Sequence, residues 1–208
     1  MQINLYLAQT LRQATKEVIK NVEVSQNLDL RNFIVVPDRF SLQAEKLLFQ
    51  ELGISSTFNI DVISISKLAS LVLKLSGNEF KTQSNLEGML LVYKILIEHQ
   101  AEFESLKDAN LSIDLAKEIF LTISQLKSCE ISADKFLKSA NELANQKLID
   151  IAKIYSFYEC SEREKIDAAD LITLFAQQIE ESELIKNSNF YFAEFDSFTS
   201  QARTIIQL

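Results

Sequence analysis

Three glycines and one proline in 208 residues leave little room for glycine-rich loops or a succession of tight hairpins, so helix is expected to dominate. Tryptophan is absent, and the only two cysteines, Cys129 and Cys160, stand far apart with no CxxC spacing and no neighbouring histidine. That argues against a disulfide framework or a zinc site and fits a reducing cytoplasm. Each cysteine falls on or beside an apolar helical face, so buried thiols are expected. No basic stretch precedes the first apolar run, and no segment reaches the roughly 18 to 20 apolar residues of a membrane span. A soluble cytoplasmic protein without membrane contact is the expectation. The formal charge of -8 speaks against a nucleic-acid coat protein, which needs concentrated Lys and Arg, but leaves a local groove open.

What is present is a chain with 47% hydrophobic residues, enough for a substantial core. Through Gly77, short apolar runs alternate with amphipathic stretches, the pattern of parallel strands joined by helices. Strands are predicted at Ile3 to Ala8, Phe33 to Pro37 and Asn59 to Ile65, followed by helices at Thr10 to Asn21, Ser41 to Leu52 and Lys67 to Leu75. FIVV is apolar on both faces, which suits a strand covered on each side, and Pro37 sits at its exit where no ladder bond is needed.

Beyond Gly77 apolar residues recur at three and four positions to about Ile185. Ser84 and Glu87 spell a capping box, opening a helix whose Leu86, Leu90, Tyr93 and Ile97 share a face. Further helices are predicted at Leu111 to Lys127, Ser132 to Asn141, Ala144 to Cys160 and Asp167 to Glu180. Phe190 to Phe195 restores a strand, and Thr199 to Leu208 starts another helix. The fold class is therefore α/β, a parallel sheet flanked by helices in residues 1–77 and 188–208, with a large all-helical insertion at 78–187. Helical periodicity persists to Leu208 without a C-cap glycine, so the chain is expected to be cut from a longer one.

An α/β layer with a helical insertion and strand-end motifs in this order resembles the first motor domain of UvrD-like superfamily-one helicases, a P-loop NTPase-like fold. Val35 to Glu45, VVPDRFSLQAE, takes the place of a family segment like VVTFTNKAA. Val62 to Leu73, VISISKLASLVL, takes that of TFHSLAxxIL. The spelling V-P-D/E-x-F/M-S/T with a later V-x-S-F/I-S/T-R/K-L-A is similar to AddB/RexB, the B subunits of bacterial DNA-repair helicase-nucleases. LIDIAKIYSFYE (Leu148 to Glu159) and NFYFAEFDSFTSQ (Asn189 to Gln201) are similar to that family as well.

The resemblance implies an inactivated helicase-like module that guides single-stranded DNA beside an ATP-hydrolysing A subunit. In the family, a nuclease domain with an iron-sulfur cluster lies further toward the C-terminus, outside these residues. By position, Arg39, Ser41, Ser64, Ser66, Lys67, Phe195 and Phe198 are the implied DNA contacts; Ser70 stands where the family often has an aromatic ring. A purely structural scaffold for the A subunit is the alternative.

The nucleotide motifs depart from the pattern. A phosphate loop needs glycines whose N–H groups wrap the phosphates, a Lys on the β/γ-phosphates and a Ser/Thr on magnesium. Ala8 to Glu17, AQTLRQATKE, contains no glycine, and Lys16 follows Thr15 instead of preceding a hydroxyl residue. The strand that should end in Asp-Glu ends in Ala193 and Glu194. Thr15, Lys16 and Glu194 are thus a degenerate nucleotide site, and no ATPase activity, catalytic residue, metal or cofactor is expected in this segment.

Other polar groups have plainer readings. Arg39 alone reads equally well as an exposed turn residue, Lys67 as a helix start, and core packing suits at least one of Phe195 and Phe198, with Phe198 the more exposed. His99 reads as a helix-terminal residue. Glu159, Glu162 and Glu164, mixed with Arg163 and Lys165, read as a solvated loop. Tyr155, Phe157 and Tyr158 read as core of the helical insertion.

Overall fold

The computed structural model describes residues 8–22, 30–77, 80–161 and 165–208. Its contacts divide the chain into two units: Met1–Asn78 with Leu174–Phe198 and Ala202–Leu208, and Glu79–Thr173 with Thr199–Gln201.

The first unit carries α1 (Leu11–Lys20), β1 (Arg31–Val35), a 3-10 turn (Asp38–Phe40), α2 (Ser41–Leu52), β2 (Ile60–Ile63) and α3 (Ile65–Leu75). The second carries β3 (Lys81–Thr82), α4 (Asn85–Glu98), α5 (Ile113–Ser128), α6 (Ala133–Glu142), α7 (Gln146–Cys160), β4 (Lys165–Ile166) and the start of α8 (Ala168–Gln178). α9 (Glu183–Lys186) and β5 (Ser188–Phe192) belong again to the first unit, and α10 (Ser200–Gln207) follows.

β1 lies between β2 and β5, and both pairings are parallel. Phe33, Ile34 and Val35 are buried on both faces, as a central parallel strand requires, with Ile34 opposite Val62 and Tyr191. The chain is α/β, with a small parallel sheet and helix in the majority. The predicted strand at Ile3 to Ala8 lies, all but its last residue, outside the described residues. The three predicted strands among the described residues are all too long at their exits, and β1 stops at Val35, short of Pro37. Ser64 leaves β2 to cap α3, accepting the Lys67 N–H, so Ile65 is already helical. β5 stops at Phe192 because Glu194 turns into the left-handed region, with φ 63.

Within this unit Ile19, Val22, Ile34, Val36, Leu47, Leu48 and Ile60 form the core, so α1 and α2 cover the sheet. Asn32 is buried in the central strand; its side-chain oxygen accepts from Asn189 Nδ2 at 3.1 Å, tying β1 to β5. Gly53, at φ 63, ends α2 where a side chain would be strained.

In the helical unit the Ser84–Glu87 capping box opens α4, in agreement with the sequence. Glu87 also accepts a hydrogen bond from Lys165; this and the Ser84 donors hold its carboxyl down to about 2. The face that packs inward, however, is Gly88, Val92, Ile95 and Leu96, while Leu86, Leu90 and Ile97 are exposed. α4 is apolar on two sides, so periodicity does not single out its buried one. Phe103, Ile119, Phe120, Ile123, Ile154, Tyr155 and Tyr158 complete that core, with Phe157 packed against it. The expectation of buried thiols is overturned: Cys129 and Cys160 are exposed. Each ends a helix, Cys129 as the C-cap of α5 and Cys160 as the last residue of α7, where the chain turns away from the apolar face. No helix among the described residues is long and apolar enough to cross a membrane.

Candidate nucleic-acid interface

Three parallel strands end side by side, and each exit carries polar or aromatic groups, the position where open α/β sheets meet ligands. After β1, Pro37 closes the strand and the 3-10 turn presents Asp38 and Arg39. The Arg39 guanidinium lies 4.7 Å over the Phe40 ring and 3.0 Å from Asp196, beyond β5. After β2, Ser66 donates to Asp38 at 3.3 Å and Lys67 Nζ approaches the same carboxylate at 3.7 Å. Arg39, Ser66 and Lys67 are therefore joined through Asp38 and Asp196 across the three strand ends. Sequence reasoning missed both carboxylates; Asp38 directly precedes Arg39 in the motif and could have been weighed with it.

Ser64 and Ser41 stand apart from that row. Ser64 is buried, its hydroxyl 3.0 Å from that of Ser66 while it caps α3. Ser41 opens α2 with its hydroxyl oxygen enclosed and without a hydrogen-bond partner. Ser70 is half-buried on α3. Phe195 and Phe198 are both half-buried and stack on each other, ring centroids 4.7 Å apart, while Phe192 meets each at 6.3 Å. Each of these two rings covers one face of the other.

The three residues read from the sequence as a degenerate nucleotide site part company. Thr15, on α1, is fully buried, and its hydroxyl lies 2.5 Å from Glu194 Oε1 and 2.9 Å from the Leu11 carbonyl. One hydroxyl proton serves both acceptors. Thr15 and Glu194 are thereby in direct contact, and the space between them is closed. Lys16 points elsewhere, 2.6 Å from Glu51 on α2, and that ion pair holds the Glu51 carboxyl below its usual range. Among the described residues no group of three or more His, Cys, Asp or Glu is placed to hold a metal ion.

In the helical unit, the sequence marks Lys127 only as the end of a helix. It is buried, with its ammonium 2.6 Å from Asp170, 2.7 Å from Asp167 and 3.0 Å from Glu159. Glu159 is therefore a helix residue of α7 paired with a cation, which corrects its reading as part of a solvated loop; Glu162 and Glu164 lie outside the described residues. Tyr158, whose hydroxyl donates to Gln83 at 2.9 Å, presents its ring 5.7 Å from the ammonium. His99 caps the C-terminus of α4, stacks on Phe157 at 3.9 Å and bonds Glu102 at 2.6 Å.

Comparison with known proteins matches residues 11–208 to the family described as "ADDB, N-terminal". The B subunit of the ATP-dependent helicase/deoxyribonuclease of Clostridium kluyveri is 28% identical over 189 residues, covering 88% of this chain and 16% of the relative. The proteins of the same name from Oceanobacillus iheyensis and Clostridium botulinum are each 26% identical, over 84% and 91% of this chain and 16% and 17% of their own lengths. The chain thus spans about one-sixth of the curated relatives it matches. With a family match running from the first residue of α1 to Leu208, the chain belongs to the AddB N-terminal family.

Proposed function

We propose that this domain is the inactivated, P-loop-like helicase module of a helicase-nuclease B subunit and that it guides single-stranded DNA across its strand ends without hydrolysing ATP. The convergence of Arg39, Ser66 and Lys67 beside the stacked Phe195 and Phe198 carries the reading. Guanidinium and ammonium groups take phosphates, and exposed ring faces take bases at roughly 1 to 3 kcal/mol each. A cytoplasmic two-subunit assembly, in which an A subunit supplies ATP-driven movement, is part of the proposal, because the relatives are named as the B subunit of an ATP-dependent helicase/deoxyribonuclease. In that assembly, Arg39→Ala with Lys67→Ala is expected to weaken single-stranded DNA binding by about 10-fold at low salt and to flatten its salt dependence. Fluorescence anisotropy with a labelled oligonucleotide reads both, and unchanged binding would remove these residues from the interface.

Direct contact between Thr15 and Glu194 supports the absence of nucleotide chemistry, since magnesium and a γ-phosphate need the space this bond closes. Neither Mg-ATP nor Mg-ADP is expected to raise the melting temperature of the 208-residue chain, whereas bound nucleotide at 100-fold its Kd would add about 2.7 kcal/mol. A rise in melting temperature specific to Mg-nucleotide would restore the site.

A scaffold role is favoured by one observation: Leu86, Leu90 and Ile97 form an exposed apolar stripe on α4. Retained DNA affinity in the Arg39/Lys67 variant, together with loss of subunit association on Leu90→Glu, would select it.

A further inference from the structure

The cations at the strand ends are already held by the protein's own carboxylates. Arg39 Nη2 sits 3.0 Å from Asp196 Oδ2, and Lys67 Nζ 3.7 Å from Asp38 Oδ1. All four side chains are more than 60% exposed, so each pair is weakly held and either partner can swing into solvent. Two cations and two anions leave the patch without net charge, which is unusual equipment for gripping a polyanion. A carboxylate and a phosphodiester present the same kind of anionic oxygen to a guanidinium or an ammonium.

We infer that Asp38 and Asp196 are built-in competitors of the nucleic-acid phosphates: each occupies a strand-end cation in the unliganded protein and must release it for a phosphate to bind. The inference rests on the reading of the strand ends as a DNA surface and adds how that surface is regulated. Binding becomes an exchange of one anion for another. The two carboxylates cap affinity, remove long-range steering, and let a strand pass over the surface without being trapped on it. Ser66 takes part because its hydroxyl donates to Asp38, so it turns to the phosphate when Asp38 leaves.

Asp38→Asn with Asp196→Asn keeps side-chain shape and removes the competition. The control is Asp61→Asn, which makes a charge change of the same sign on β2 at a residue paired with Arg31, at the start of β1, 3.5 Å away. In the full-length subunit within its two-subunit complex, stopped-flow association with a labelled oligo-dT is expected to be about 10-fold faster for the double variant at low salt. That gain should shrink to about 2-fold or less in half-molar salt, and Asp61→Asn should leave the rate unchanged. No gain from the double variant, or an equal gain per charge from Asp61→Asn, overturns the inference. Arg39→Ala with Lys67→Ala in the same assay separates the layers. If binding falls there but does not rise with the Asp substitutions, only the competition is wrong; if binding is unmoved there, the DNA reading fails with it.

Discussion

Replacing Lys127 with Met is expected to destabilise the helical unit by about 3 kcal/mol. The side chain is 7% exposed, and its ammonium contacts Asp167, Asp170 and Glu159, drawn from α8 and α7 and from the turn before α8. Burial pulls the Lys127 pKa down, but hydrogen bonds to Asp167 and Asp170 and their charges outweigh it, and the pKa stands above the ordinary 10.5. A lysine whose pKa is raised by folding contributes its stability in full below 10.5 and loses it as pH climbs through the higher folded value. The contribution is therefore constant through neutral pH and fades only in strong alkali. Urea denaturation at pH 7 followed by circular dichroism measures the loss. Asp167→Asn in the Lys127→Met background should recover part of it, because Asn removes one of the negative charges that Lys127 offsets while still accepting the Ala169 and Asp170 N–H groups that open α8. A Lys127→Met chain within about 0.5 kcal/mol of the parent would mean the cluster holds nothing.

Gly88→Ala is expected to destabilise, against the rule for helices. Alanine in a helix interior is favoured over glycine by about 1 kcal/mol. Here the added methyl group would fall inside the ring edge of Phe120, a buried residue of α5 that also packs on Tyr158. The ring must shift or turn to admit it, and overpacking of this kind costs about 1 to 3 kcal/mol, so the net expectation is a loss of about 1 kcal/mol. Gly88→Val should lose about 3 kcal/mol, having a larger, branched side chain and less helix propensity to offset it. Phe120→Leu reverses the sign: in that background Gly88→Ala should be neutral or stabilising relative to Gly88. Thermal unfolding of the four chains closes the cycle, and additive effects would show that α4 and α5 do not meet through this glycine.

These two positions also mark where the sequence stops being informative. The central strand is legible because FIVV is apolar in every position, and the α4 start because Ser84 and Glu87 bond within one turn. Local signals of that sort survive without tertiary knowledge. The inward face of α4 does not, because Leu86, Leu90, Tyr93 and Ile97 are as periodic as Gly88, Val92 and Ile95. Only the partner helix decides between them, and Phe120 needs a residue without a side chain opposite it. Lys127 has the look of an ordinary cation at a helix C-terminus; its acidic partners lie up to 43 positions away and carry no motif.

At the candidate site the same division holds. Arg39, Ser66 and Lys67 follow from motif position, and the strand order brings them together. Their pairing with Asp38 and Asp196 depends on side-chain reach across neighbouring strands. Thr15 and Glu194 are each singled out by motif position, but their bond joins residues 179 positions apart. Ser64 and Ser41, equal to Ser66 on paper, differ from it because a helix start turns them inward.

The parallel pairing of β1 with β5 has a consequence for synthesis. Asn32 and Asn189, neighbours in the finished sheet, are 157 positions apart. A ribosome adding about 5 to 20 residues each second leaves one side of an apolar strand open for roughly 8 to 30 seconds before its partner emerges. Throughout that interval the nascent chain offers a ready template for mispairing, and a holding chaperone has its best target there.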